Sequence, residues 1–178
     1  MVRLCALMSL RSRLIRDVKF GPSHTGEISY AKQLIKSAPA HSLTILDRCY
    51  LSAELMLNWQ RNNEQQHWMT PVKSNTKYTI LESYADNDFL VEMNVSPHAK
   101  KQDPTLPDTW QARLVMHKEK VKKNHIIGVL CSLTDTRRFQ SDEILDVYFE
   151  RWEIENGYGE IKQYQLDESI LLRSQTVM

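Results

Sequence analysis

The chain has 178 residues, of which 42% are hydrophobic and 25% charged, and its formal net charge at pH 7 is +1. This length and apolar content suit one domain with a buried core, and they exclude an intrinsically disordered chain. The nearly balanced charge excludes a globally polybasic protein, although basic residues outnumber acidic ones in residues 1–73 and 100–123, and the reverse holds in 137–163.

The first predicted elements are two β-rich runs, VRLCALMSL and RLIRDVKF, which are joined by RSR and expected to pair antiparallel. The segment EISYAKQLIKSA follows as a predicted helix, with Ser23 or Thr25 as its N-cap and Pro39 just beyond its end. The chain therefore opens with a hairpin and a helix.

An apolar run from Leu43 to Leu46 comes next and ends at Asp47, and a helix is predicted from about Ser52. HWMTPVKS then predicts a strand broken by Pro71. This order places Asp47 at the carboxyl end of a buried strand, which is where α/β folds gather their ligands.

Residues 75 to about 135 predict four strands, TKYTILES, DFLVEMNVS, TWQARLVMHKE and NHIIGVLCSL, separated by polar loops such as SPHAKKQDPTLPD. QSDEILDVYFERWEIENGYGEIKQYQ then predicts a long final helix with Ser141 as its cap. We expect an α/β core in 1–73, a β-rich insertion in 74–135 and a C-terminal helical part in 136–178.

The final predicted helix carries an unusual charged stripe. Tyr148, Arg151, Glu155 and Lys162 fall within about 60° of each other at 100° per residue. One interpretation is a solvated ion pair, worth a few tenths of a kcal/mol. Gly157 and Gly159 weaken that interpretation, because each glycine costs about 1 kcal/mol against alanine inside a helix.

Several kinds of chemistry find no support in the sequence. There is no G-x-S-x-G elbow, Walker loop or G-x-G-x-x-G, and the histidines form no H-x-H or H-x-x-x-H pair.

Cys5, Cys49 and Cys131 stand far apart without a C-x-x-C, which argues against a disulfide framework or a zinc knuckle and favours a reducing cytoplasm. No apolar run approaches the roughly 18 residues of a membrane span, so we expect no membrane partner.

Two carboxylates from distant parts of the chain remain, Asp47 at a strand end and Glu155 on a helix. Magnesium prefers oxygen ligands and is commonly held by one or two carboxylates together with substrate phosphate. Two such ions about 4 Å apart clamp the attacking and leaving oxygens of a phosphoryl displacement. The alternative for Asp47 is a structural one, in which its carboxylate caps the helix that follows.

The spacing of the stripe, Y-x2-R-x3-E-x6-K, resembles the signature of bacterial insertion-sequence transposases of the DDE class, in the insertion sequence four group. YFERWEIENGYGEIKQ is similar to that group throughout, and LTILDRCYLSAEL is similar to its segment around the second catalytic aspartate. The β-rich insertion between Asp47 and Glu155 is also a feature of the family. The resemblance covers most of the chain.

The resemblance implies an RNase H-like fold, in which a mixed sheet is flanked by helices and a β-rich insertion precedes the last helix. It implies that Asp47 and Glu155 are catalytic ligands of Mg²⁺ or Mn²⁺. It also implies that Tyr148, Arg151 and Lys162 contact double-stranded DNA at the transposon ends.

The family's first aspartate lies on a strand upstream of the segment that corresponds to Val2, so we expect the first strand and its acid to be missing and both ends to be truncated. Metal binding should then be weak, with little strand cleavage or transfer. A full-length transposase copy is a further candidate partner. The alternative function is a non-catalytic DNA-binding remnant of a decayed mobile element, using the N-terminal arginines and HKEKVKK.

Overall fold

The computed structural model describes residues 2–117 and 128–151. Twelve helices and strands follow one another in these ranges: β1 (Val2–Met8), β2 (Ile15–Pro22), α1 (Glu27–Leu34), β3 (Ser42–Ile45), α2 (Ala53–Asn62), β4 (Gln66–Pro71), β5 (Thr79–Ala85), β6 (Asp88–Asn94), α3 (Pro97–Gln102), β7 (Thr109–Met116), β8 (Gly128–Cys131) and α4 (Ser141–Phe149). Two short 3₁₀ helices, Ile35–Ser37 and Arg48–Tyr50, follow α1 and β3.

The strands form two sheets. β1 and β2 pair antiparallel in a two-stranded sheet, as the sequence predicts, and the other six strands form one sheet in the order β3-β4-β8-β7-β6-β5. β3 and β4 are parallel, and every other neighbouring pair in that sheet is antiparallel. The four strands predicted between residues 75 and 135 are confirmed, and they extend the core sheet because β8 pairs with β4.

Alternate residues of the large sheet face two separate layers of helix. On β4, Trp68 packs with the buried residues of α1 and α2, whereas Met69 packs with α4. β7 and β8 alternate in the same way, because successive side chains of a strand point to opposite faces. A mixed sheet with helices on both faces confirms the predicted α/β, RNase H-like fold class. The predicted boundaries at 73/74 and 135/136 stay predictions.

The predicted helix caps were partly right. Ser52 caps α2, with its Oγ accepting the backbone N–H of Leu55 at 3.2 Å. The predictions of Ser23 or Thr25 for α1 and of Ser141 for α4 were wrong, because Gly26 and Gln140 occupy those N-cap positions. At α4 the side chains of Gln140 and Glu143 form a capping box, which satisfies backbone N–H groups of the first turn.

One helix was not predicted. α3 lies in the polar segment that the sequence favours as a loop, where the Ser96 side chain accepts the N–H of Ala99 at 3.2 Å and Pro97 occupies the first helical position. Serine as a cap followed by proline is a favourable helix start. None of the helices in the described ranges is long and apolar enough to cross a membrane.

Candidate functional site

Asp47 lies two residues beyond the end of β3, at the start of the 3₁₀ helix Arg48–Tyr50. Its Oδ1 accepts the backbone N–H of Cys49 at 3.0 Å, so the carboxylate caps that helix. The Thr70 hydroxyl donates to the carbonyl of Asp47 at 3.3 Å, which ties the residue to the end of β4. Asp47 is thus held at the carboxyl end of two parallel strands, and its half-buried side chain remains accessible to solvent.

A second carboxylate, Glu27, which the sequence did not single out, lies beside Cys49. The Cys49 thiol donates to Glu27 Oε2 at 3.4 Å, and Glu27 Oε1 lies 3.6 Å from the Arg3 guanidinium. Burial, reinforced by the negative charges of Asp47 and Glu27, raises the pKa of the Cys49 thiol to about 12. Cys49 is therefore a neutral thiol at physiological pH, which argues against a nucleophilic role. Glu27 precedes Cys49 by 22 residues, and no local motif connects them.

The described residues contain no group of three or more histidine, cysteine, aspartate or glutamate side chains that could hold a metal ion. Asp47 accepts the Cys49 backbone N–H and Glu27 accepts the Cys49 thiol, but these side chains do not form such a group. A metal site that includes Asp47 would need a further ligand from elsewhere. The predicted partner, Glu155, lies outside the described residues, as does Lys162.

The direction of α4 relative to Asp47 follows from its contacts. Glu143 and Ile144, in the first turns of α4, line one cavity together with Ser42 and Leu43 at the amino end of β3. At the other end of the helix, the ring of Phe149 meets the ring of His117 edge-on, with centroids 5.7 Å apart. His117 directly follows β7, which runs parallel to β3 because two antiparallel pairings separate β7 from β4.

The strand registers place His117 along this direction. One level of the sheet is formed by Ile45, Met69, Cys131 and Arg113. Asp47 lies two residues beyond that level and His117 four residues beyond it. α4 therefore runs from the amino end of β3 towards the end of the sheet where Asp47 lies. β7 stands three strands from β3, so the two positions share an end of the sheet at a sideways separation of about 14 Å.

Two residues of the predicted stripe fall within the described part of α4 and the residues after it. Tyr148 has no exposed surface and packs in the cluster between α4 and the sheet, with Val115 and Val129. Arg151 is half-buried, and its guanidinium carbon lies over the Tyr148 ring at 5.4 Å from the centroid. The stripe is therefore not a fully solvated face of the helix at these positions, because Tyr148 is a core residue. DNA contacts by Tyr148 and Arg151 stay predictions.

Comparison with known proteins gives one family and two curated relatives. The family model described as "Transposase DDE domain" matches residues 1–177. Transposase InsG for insertion sequence element IS4, from Escherichia coli K12, is 36% identical over 173 residues, which are 97% of this chain and 38% of that protein. Putative transposase InsZ from the same organism is 27% identical over 81 residues, or 46% of this chain and 27% of that protein. No solved structure gives a significant match.

Proposed function

This chain belongs to the transposase DDE domain family, and on that premise we propose that it forms part of a catalytic core for metal-dependent DNA strand cleavage and transfer. The chain spans 38% of the length of the curated IS4 transposase that it matches. DNA transposition, transposon ends as substrate and a full-length transposase copy as partner are therefore proposals for this chain.

The observation that carries this proposal is that Asp47 lies at the end of the sheet towards which α4 runs. Asp47 projects from the carboxyl end of β3, and α4 runs towards that same end. The sequence continues from α4 to Glu155, which follows Arg151 by four residues. We propose that Asp47 and Glu155 are the catalytic carboxylates and hold Mg²⁺ or Mn²⁺ between them.

The chemistry of Asp47 fits a hard divalent ion. Its carboxylate is half-exposed and caps only a short 3₁₀ helix, so an oxygen ligand is available at the sheet edge. When bound, such an ion would stabilise the charge that develops on the attacking and leaving oxygens of a phosphodiester. Because the proposed site has two carboxylate ligands, Asp47 and Glu155, we propose weak metal binding and little cleavage by this chain alone.

The stripe residues have distinct proposed roles. Arg151 and Lys162 would contact DNA phosphates, since guanidinium and ammonium groups pair with phosphate through charge-assisted hydrogen bonds. Tyr148 is buried, and its ring lies beneath the guanidinium of Arg151. We propose that Tyr148 contributes to DNA binding by positioning Arg151, which follows the end of α4.

Manganese binding, followed by electron paramagnetic resonance of the free ion, tests the proposed metal site. We expect weak saturable binding to the full chain that is lost in both Asp47→Asn and Glu155→Gln. Asp86→Asn is the matched control, because Asp86 is an exposed acid in the turn between β5 and β6. Binding that survives Asp47→Asn and Glu155→Gln while Asp86→Asn reduces it would refute the proposed ligands.

A DNA-binding remnant without catalysis is the second candidate, and the exposed turn between β1 and β2 favours it. Arg11, Arg13 and Arg16 lie on this turn and the strand after it, and all three are exposed. A remnant of this kind should bind duplex DNA, and the logarithm of its binding constant should fall linearly with the logarithm of the salt concentration. Glu155→Gln should leave that slope unchanged, whereas Arg11→Gln combined with Arg16→Gln should reduce it by about two.

A further inference from the structure

A cavity of about 330 Å³ lies between the first turns of α4 and the amino ends of β3 and β4. Its apolar walls include Leu43 of β3, Phe139 of the loop before α4, and Ile144 and Val147 of α4. Its volume falls within the range of small-molecule sites in proteins, which are mostly apolar with a few convergent polar groups. Asp47 lies at the opposite end of β3, so the proposed transposase chemistry makes no use of this cavity.

Hydrogen-bond donors are gathered at one side of the cavity. The Gln65 side-chain oxygen accepts from His41 Nδ1 at 3.2 Å and from Arg138 Nη2 at 3.2 Å. These two bonds hold an imidazole and a guanidinium side by side. Arg138 also lies over the Phe139 ring, 5.2 Å from its centroid, and no carboxylate of the described chain forms an ion pair with it. Within residues 2–117 and 128–151, the rim therefore presents a cation without an anionic partner.

The backbone at this rim is strained. His41 has φ of 52° and Gln65 has φ of 47°, and Arg13 is the other non-glycine residue with positive φ in the described ranges. Residues with a Cβ rarely adopt this left-handed conformation. The N–H of His41 donates to the carbonyl of Glu64 at 3.0 Å, which holds the two strained segments together. Strain of this kind persists where surrounding structure enforces it, and it concentrates at ligand sites.

The remaining titratable groups of the cavity leave the donor side positive. Burial, and secondarily the charge of Arg138, lower the pKa of His67. His67 is therefore a neutral lining residue, and its Nδ1 lies 3.1 Å from Ser132 Oγ. Glu143 is the acidic lining residue. Its carboxylate is engaged at the start of α4, where Oε2 accepts the Gln140 N–H at 3.4 Å.

We propose that this cavity binds a small organic acid with an apolar body. Its carboxylate would accept from Arg138, with His41 and the Gln65 amide beside it, because a guanidinium presents paired donors that match a carboxylate. Its aliphatic or aromatic body would lie against Leu43, Ile144 and Val147. This is a ligand site at the end of the sheet away from Asp47, and it does not depend on the proposed function.

A titration of the full chain, monitored by two-dimensional NMR, tests this site. The ligands are sodium benzoate and a series of straight-chain carboxylates from butanoate to octanoate. We expect saturable binding by at least one of these acids at concentrations up to about 10 mM, and binding about tenfold weaker for the neutral counterpart, for example benzamide. The resonances that shift should include those of His41, Gln65 and Val147.

Arg138→Gln and Arg137→Gln form a matched pair, since both arginines are exposed neighbours and only Arg138 lines the cavity. Arg138→Gln should weaken binding of the acid about tenfold, and Arg137→Gln should leave it unchanged. An unchanged circular dichroism spectrum and melting temperature show that each variant is folded. The proposal is overturned if none of the acids binds saturably, if benzamide binds as well as benzoate, or if both arginine variants bind like the wild type.

Discussion

Arg113 of β7 and Asp88 of β6 form a two-point ion pair in the interior, with Nε 2.7 Å from Oδ1 and Nη2 2.5 Å from Oδ2. Both side chains are almost fully buried, at 1% and 6% exposure. The remaining guanidinium nitrogen, Nη1, donates to the carbonyls of Leu133 at 3.1 Å and Phe139 at 2.8 Å. One arginine therefore connects the strands of the β-rich region to the loop from which α4 starts.

Replacing Arg113 should destabilise the protein strongly. Arg113→Met leaves the Asp88 carboxylate buried without its partner and frees two loop carbonyls, so we expect a loss of about 3–5 kcal/mol in the free energy of unfolding. Urea denaturation, followed by tryptophan fluorescence, measures this loss.

The control for Arg113 is Lys32→Met, which breaks the partly exposed ion pair with Glu54. A pair of that kind is worth about 1 kcal/mol or less. The double variant Arg113→Met with Asp88→Leu should recover much of the loss, because no buried charge remains. An Arg113→Met variant as stable as Lys32→Met would contradict the interior role of the pair.

The orientation of α4 predicts opposite outcomes at two adjacent aromatic residues. Tyr148 has no exposed surface, whereas Phe149 is 41% exposed. Tyr148→Ala should cost about 3–5 kcal/mol of unfolding free energy, as for other large-to-alanine changes in a core, while Phe149→Ala should cost far less. Thermal or urea unfolding of the two variants checks this, and a larger loss at Phe149 would mean that α4 presents a different face to the sheet.

The strands and the position of Asp47 could be predicted from the sequence because their signals are local. Leu43 to Leu46 is an apolar run with an acid directly after it, and Ser52 stands before the apolar period of α2. The true cap of α1 was missed because Ser23 and Thr25 offered side chains that Gly26 lacks. Cap preference alone does not fix a helix start to within a few residues.

Relations between distant parts of the chain could not be read from local patterns. The path of α4 towards the Asp47 end of the sheet depends on the strand order β4-β8-β7, which inserts late strands beside an early one. Arg113 and Asp88 stand 25 residues apart, and the available signal was an arginine inside an otherwise apolar stretch of TWQARLVMHKE. The positive φ of His41 and Gln65 carries no local signal, since neither residue is glycine or asparagine.

Asp17 predicts an acid-dependent loss of stability. Its pKa is held below the ordinary value of 3.8 by the Ser37 hydroxyl, which donates to Oδ2, and by Lys19, whose Nζ donates to Oδ1 at 3.1 Å. A carboxyl with a depressed folded-state pKa stabilises the fold above the unfolded value, and this contribution is lost as the pH falls through 3.8 to the lower folded value.

Asp17→Asn should therefore lower the melting temperature at pH 7. The difference in melting temperature between the wild type and the variant should become smaller as the pH approaches 3. Asp86→Asn, at an exposed turn, is the matched control and should follow the wild type at both pH values. A variant–wild-type difference at Asp17 that stays constant from pH 7 to 3 would show that this carboxyl does not contribute through its charge.

Strand cleavage tests the proposed incompleteness of the metal site. The two proposed ligands, Asp47 and Glu155, should hold a divalent ion less tightly than three carboxylates would, and correct placement of the ion is what stabilises the phosphoryl transition state. Incubation of the full chain with supercoiled plasmid and Mg²⁺ or Mn²⁺ should therefore give little nicking above the protein-free level. Gel electrophoresis of the relaxed form measures it, with Asp47→Ala and Asp86→Ala run beside the wild type. Robust nicking that disappears in Asp47→Ala and persists in Asp86→Ala would show that this chain already carries a sufficient metal site. The first candidate to test as a third ligand would then be Glu27, whose Oε2 accepts from the Cys49 thiol.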